Sequence, residues 1–243
     1  MNLADMHLHA LCGVDDGAKT EADMFAIVDA LHKEGCSTLC MTPHFHPGFF
    51  GNNSAKTEKA FQTLQGYVQE HYPQMQLYLG NELRYSENCL SWLEDGLCRT
   101  LNGSRYVLVD FLADEEKRTI LRGMDQLLNA GYVPVLAHGE RYEKLHMDLR
   151  EIRELRERGV VIQVDGGSLF GAFGFMDRLR SRKLVKQHLA DVISSDTHNL
   201  VRRPPVMAKS WELVSKQQSP EYARALCLSN AERILSNKAI RKG

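Results

Sequence analysis

Residues 3–9 read L-A-D-M-H-L-H, a short apolar run that ends in an aspartate and two histidines spaced two apart. Side chains at i and i+2 of a β-strand point the same way, so His7 and His9 can grip one ion together. Taken alone, the pattern is also compatible with a polar strand end, because histidine serves as a satisfied core residue as well as a ligand. Its meaning depends on what the other strands do.

Further β-rich runs are expected at residues 38–42, 76–80, 105–111, 133–137, 160–164 and 191–194, about seven strands with the first at 3–7. Amphipathic segments fall between them. Met24, Ile27, Val28 and Leu31 share one helical face, as do Ile120, Leu121, Met124, Leu127 and Leu128 before Gly131. Other helices are expected at 55–70, 86–97, 148–158, 175–188, 206–215 and 220–236. Strands alternating with helices read as a parallel sheet with crossovers. With 243 residues and 43% apolar content, a single α/β barrel domain over 1–243 explains seven such units better than two domains, an open doubly wound sheet being the alternative.

One strand after another ends in a metal-ligand residue type. The second runs into T-P-H at 42–44, the third into Asn81-Glu82, the fourth carries Asp110, the fifth ends in H-G-E-R at 138–141, and the last in S-D-T-H at 195–198. A parallel barrel opens all these ends onto one face, where active sites sit. Asp196 and His198 repeat the spacing of His7 and His9, although a helix N-cap and its neighbour is an equally good reading of that pair. Agreement among six strand ends favours metal. Mixed imidazole and carboxylate ligands suit zinc, manganese or iron, and the absence of cysteine among them disfavours a thiolate zinc site.

Other features bound the function. Acidic and basic residues number 31 and 30, so no net field favours nucleic acid or an anionic membrane. Neither a signal-peptide pattern nor a run of about 18 apolar residues is found, and a cytoplasmic protein without membrane insertion is expected. Six cysteines without C-x-x-C spacing are expected to be reduced. His32, His71, His146 and His188 are expected at the surface and His46 in a loop. C-L-S-N-A-E-R at 227–233 has the C-x5-R spacing of cysteine-dependent tyrosine phosphatases but lacks the glycines that turn backbone amides onto a phosphate. Asp165-Gly166-Gly167-Ser168 reads as a turn.

Taken together, D-M-H-L-H, G-V-D-D-G-A-K-T-E (13–21), T-P-H, G-N-E (80–82), S-R-Y-V-L-V-D-F (104–111), P-V-L-A-H-G-E-R-Y (134–142), S-S-D-T-H-N (194–199) and R-R-P-P (202–205) resemble the polymerase and histidinol phosphatase (PHP) superfamily. The resemblance is to its bacterial tyrosine-protein phosphatases of capsule and exopolysaccharide loci, the CpsB type. It implies a distorted (β/α)7 barrel holding two or three divalent ions, manganese above all. His7, His9, Asp16, His44, Glu82, Asp110, His138, Asp196 and His198 match the ligand positions, and Arg141 and Arg203 match the arginines that hold phosphate. Asp110 stands where the family usually has glutamate, and its shorter arm reaches an ion less directly. The substrate implied is the phosphotyrosine tail of a cognate bacterial tyrosine kinase, and a homo-oligomer is expected.

On this reading Glu82 would help to hold two ions that supply an activated water, while Arg141 and Arg203 would stabilise the charge spread over the equatorial oxygens of the phosphoryl group. His44 or His198 is a candidate proton donor. The alternatives on the same scaffold are a histidinol-phosphate phosphatase, a nuclease, and a non-catalytic metal-binding partner of the export machinery.

Overall fold

A computed structural model describes residues 2–50, 54–146 and 149–242. The chain opens with β1 (Leu3–Leu8), α1 (Glu21–Lys33) and β2 (Cys36–Met41), continued by the two-residue β3 (His44–Phe45). After α2 (Ser54–His71), β4 (Gln76–Leu79) is continued by β5 (Glu82–Arg84). The remainder runs α3 (Cys89–Glu94), β6 (Tyr106–Asp110), α4 (Lys117–Asn129), β7 (Val133–Leu136), α5 (Arg150–Glu157), β8 (Val161–Asp165), α6 (Phe175–Lys186) and β9 (Val192–Ser194). It closes on α7 (Met207–Gln217), α8 (Pro220–Arg224), a π-helical turn (Ala225–Ser229) and α9 (Asn230–Leu235).

Every strand pairing is parallel, in the orders β1-β2-β4 and β3-β5-β6-β7-β8-β9. Counting β2 with β3 and β4 with β5 as interrupted strands gives the seven expected. The interruptions have local causes. Pro43 has no N–H to donate to the ladder, and the backbone bridges the gap instead through Glu82 N to Pro43 O at 3.2 Å and Gly80 N to Met41 O at 2.8 Å. The ring closes, in distorted form, where His9 N donates to Thr197 O (2.8 Å) and Asp196 N to His7 O (2.9 Å), with a single parallel bridge between Leu8 and Thr197.

Alternation along the strands separates two apolar layers. Val107, Val109, Leu136, Ile162, Val164 and Ile193 pack with the helices. Tyr106, Leu108, Val135, Ala137, Val161 and Val192 fill the barrel, which Leu228, Ala231, Ile234 and Leu235 floor from below. On α1 the residues buried are Met24, Ile27, Val28 and Leu31, the face expected from the sequence, and Thr20 caps the helix in a reciprocal box with Asp23.

Some expected boundaries move. The helix placed at 86–97 is only Cys89–Glu94. The one placed at 148–158 runs Arg150–Glu157, and Asp148 lies outside the described residues. The single helix at 220–236 is broken by the π turn. His146 is buried rather than at the surface, because its Nε2 pairs with Gly139 O at 2.8 Å beneath the turn that follows β7.

Below the barrel, Arg156 of α5 grips Asp191 with both Nη2 (2.7 Å) and Nε (3.1 Å), and Asp191 also accepts Ile162 N at 3.0 Å. Both side chains are buried. Arg156→Ala should therefore cost about 3–5 kcal/mol in urea unfolding, since it strands a buried carboxylate. A loss below about 1 kcal/mol would mean that Asp191 protonates or hydrates instead.

Candidate metal centre

The strand ends and the loops that follow them bring nine side chains to one face. Their donor atoms form three overlapping groups: His9, Asp16, His44 and His198; His7, His9 and Glu82; and Glu82, Asp110 and His138. Within each group the donors lie within 4.8 Å of one another. Asp196 joins them from β9, its Oδ1 lying 3.4 Å from both His7 Nε2 and His9 Nε2. All nine metal candidates of the sequence thus converge. The arrangement at 196–198 is not the strand pair expected: Asp196 has a left-handed backbone (φ 52°) beyond the end of β9, and no helix follows for it to cap. His138 is also left-handed (φ 36°). Two strained non-glycine residues at one site are the kind of backbone that a surrounding structure must hold in place.

Glu82 stands at the centre. Its Oε2 lies 3.3 Å from His7 Nε2, 3.2 Å from His9 Nε2 and 2.8 Å from His44 Nδ1, while Oε1 lies 2.9 Å from His138 Nε2. Burial would raise its pKa, yet His7 and His44 outweigh that and hold the carboxyl well below its ordinary value. Burial, and after it the charge of Glu82, pushes Asp110 up despite an ion pair of 2.6 Å between Arg84 Nε and Asp110 Oδ1.

Several imidazoles are set for ligation by a second residue. His9 Nδ1 pairs with Asp15 Oδ2 at 2.7 Å, His7 Nδ1 with Gln163 Oε1 at 3.1 Å, and His198 Nδ1 with the Asp196 carbonyl at 2.9 Å. With the proton on Nδ1, each Nε2 lone pair faces the centre, the outer-shell support that metal-bound histidines require. Burial lowers both His138 and His198 to about 4, which keeps these rings in the neutral form a metal needs. Glu82 Oε2 and Asp196 Oδ1 are buried and make no hydrogen bond of acceptable geometry, although imidazole nitrogens stand 2.8 Å from the first and 3.4 Å from the second. Such atoms are costly unless a cation satisfies them, so the residues present fit a divalent metal centre.

Two guanidinium groups stand on the Asp196 side. Arg141 Nη2 bonds Asp165 Oδ2 (2.6 Å) and Asp196 Oδ2 (3.1 Å). Arg203 Nη2 pairs with Asp196, and its Nη1 donates to His198 Nε2 at 2.8 Å. Both guanidiniums lie over the Phe173 ring, 4.1 and 5.5 Å from its centroid, a stacking that orients cations. The cleft beside them, of about 280 Å³, is lined by His44, Glu82, Arg84, Asp110, His138 and both arginines among others.

Sequence reasoning missed the supporting set of Asp15, Gln163, Asp165, Arg84 and Phe173. Asp15 had a signal, since G-V-D-D-G offers two aspartates. It accepts from His9 Nδ1, His44 N (3.0 Å) and Gly17 N (2.9 Å), and a Cβ at Gly17 would lie 1.9 Å from the His9 carbonyl. Gln163 had one as well, as a polar residue inside the fully buried β8. His46 lies outside the metal groups, stacked on Phe49. Cys227 is buried and its thiol is pushed far up by burial, so the C-x5-R stretch offers no nucleophile. The 165–168 segment is the turn expected, with Gly167 N bonded to Asp165 Oδ1 at 2.7 Å.

The chain has relatives among known proteins. The family model described as capsular polysaccharide synthesis, CpsB/CapC, matches residues 3–236. The chain is similar to the tyrosine-protein phosphatase CpsB of Streptococcus pneumoniae, with 30% identity over 98% of this chain and 100% of the relative. It is similar to the tyrosine-protein phosphatase YwqE of Bacillus subtilis (strain 168), with 30% identity over 98% and 93% of the two chains. Among solved structures, that of YwqE from Bacillus subtilis and CpsB from Streptococcus pneumoniae, described as metal-dependent tyrosine phosphatases, superposes with a TM-score of 0.90 at 29% identity, covering 100% of this chain and 97% of the other. The histidinol phosphate phosphatase of Lactococcus lactis subsp. lactis Il1403 (TM-score 0.57, 12% identity, covering 89% and 94%) shares the fold.

Proposed function

Because this chain belongs to the CpsB/CapC family of capsular polysaccharide synthesis proteins, we propose that its cluster of histidines and carboxylates is the centre of a metal-dependent protein-tyrosine phosphatase. Its substrate on this reading is phosphotyrosine on the tail of a cognate bacterial tyrosine kinase that controls polysaccharide export. His7, His9, Asp16, His44, Glu82, Asp110, His138, Asp196 and His198 hold two or three divalent ions, manganese first among them. A homo-oligomer working in the cytoplasm completes the proposal.

One observation carries the chemistry: three ligand groups fused through His9 and Glu82 stand beside two guanidiniums that share Asp196. Divalent ions held there supply Lewis-acid charge and lower the pKa of water toward neutrality. The rest falls to the chain. Arg141 and Arg203 present planar forks suited to phosphoryl oxygens, where charge spreads during transfer. Asp15 and Gln163 keep His9 and His7 from rotating. Tyrosine, with a phenol pKa of about 10, leaves as the anion with little help from a general acid. His44 and His198 both belong to a ligand group, so neither is required as a proton donor.

The direct test is phosphate release from a phosphotyrosine peptide by chelator-stripped protein, with and without added manganese, beside Cys227→Ser. Activity should return with manganese and be indifferent to Cys227. Turnover that survives chelation but is lost in Cys227→Ser would sink the metal mechanism. Faster turnover of histidinol phosphate than of the peptide would reassign the substrate to an alkyl phosphate.

A further inference from the structure

At the opposite end of the barrel from the ligands, the starts of β2 and β4 and the last helical segment enclose a second cavity of about 490 Å³. Arg224, Arg233, Lys238 and Arg241 line it, against Glu232 as the one carboxylate among its lining residues. The excess of positive charge is local, since the whole chain is almost neutral.

The backbone is built to gather these cations. A continuous α-helix aligns residues three or four apart, which would carry Ser229 off the face of Arg224. The turn at Ala225–Ser229 is instead wound as a π-helix, whose i→i+5 bonding brings residues five apart into line. Arg224 and Ser229 thereby share a face with Arg233, four residues further on. π turns of this kind are rare and recur at functional sites. The segment after α9 is then folded back and pinned. Tyr106 OH donates to Lys238 O (2.9 Å), and Asn230 holds Arg241 from both sides, accepting from its N–H and donating to its carbonyl, each at 3.0 Å. Among the described residues the side chains of Arg224, Lys238 and Arg241 make neither a salt bridge nor a hydrogen bond. Three cations are thus placed by backbone contacts and left with their donors open toward the cavity.

We propose that this distal cavity is a binding site for a small phosphate-bearing anion of the nucleoside diphosphate class. Arginine forks and the lysine ammonium take the phosphate oxygens in charge-assisted hydrogen bonds, and the half-buried Tyr78 ring at the wall offers a stacking surface for a base. The site is independent of the catalytic proposal: it shares no residue with the metal centre and stands or falls whether or not the chain is a phosphatase. A phosphorylated lipid headgroup presents the same chemistry, and the experiment separates the two sources.

Equilibrium dialysis with radiolabelled ADP and with pyrophosphate should be run on the native protein and on the triple variant Arg224→Ser, Lys238→Ser, Arg241→Ser. The native protein should bind with a salt-sensitive affinity, and the variant should bind at least about tenfold more weakly. Hydrolysis of p-nitrophenyl phosphate by the variant should be unchanged. The single change Arg224→Ser, at an exposed position, should weaken binding severalfold in a protein whose folding it does not touch. Sedimentation with phosphatidylglycerol vesicles, abolished in the triple variant while ADP fails to bind, would assign the site to a headgroup. Binding that survives the triple variant, or no binding of ADP, pyrophosphate or vesicles, would overturn the proposal.

Discussion

Glu82→Gln should lower phosphotyrosine hydrolysis by on the order of a thousandfold or more and should reduce the metal content of the purified protein. Glutamine keeps the size of the side chain but loses its charge and turns one oxygen into an NH₂ donor. In the native protein Oε2 approaches three imidazoles and Oε1 a fourth, and the residue belongs to two of the three ligand groups. An amide offers only one neutral oxygen and would hold two ions far less well than a carboxylate. The loss should therefore appear in metal stoichiometry by plasma mass spectrometry as well as in kcat, and excess manganese should restore little of it. His138→Ala, which touches one group only, should remove less metal. Native metal content and native kcat in Glu82→Gln would show that Glu82 is a buried structural acid and that the ligand set is wrong.

Much of this site was legible because a parallel barrel converts position into chemistry. A residue at the end of a strand must lie on the open face, so His7, His44, Glu82, His138 and Asp196 could be grouped without any knowledge of distances. Apart from Asp15, which lies six residues from His9, what escaped were contacts whose partners are remote in sequence and carry no spacing signal. Gln163 supports His7 from 156 residues away, and its Oε1 also accepts the amide of His138. Phe173 lies in a loop with nothing to mark it as the platform for two arginines. The fold shows the same division. Helical faces such as that of α1 follow from a 3.6-residue period, whereas the breaks at Pro43 and Gly80 and the π turn at Ala225–Ser229 reflect local exceptions to periodicity. The left-handed turns at His138 and Asp196 were invisible for the same reason: only the surrounding contacts hold a non-glycine residue there.

Arg141→Ala should leave the metals bound and lower kcat by about a hundredfold to a thousandfold, the scale expected for removing a group that stabilises transition-state charge. The guanidinium touches Asp165 and Asp196 and lies over Phe173, but it offers no ligand atom. Its removal has a second consequence. Asp165 is fully buried, and burial already pushes its carboxyl upward against the pull of Arg141, with Glu140 nearby also raised by burial and by the charge of Asp165. A carboxyl raised above its unfolded value makes the folded state the better proton binder, so stability falls as pH rises through the folded-state value. Without Arg141 that value must rise further, and Arg141→Ala should unfold at lower urea than the native protein, with the deficit larger at pH 8 than at pH 6. Adding Asp165→Asn should recover much of the stability and none of the rate. That separation distinguishes a residue acting on substrate from one that merely neutralises a buried acid. Arg141→Lys restores charge but not the fork, and should stay closer to alanine than to arginine in kcat. Native kcat in Arg141→Ala, at native metal content, would remove Arg141 from the reaction and leave the phosphate to Arg203.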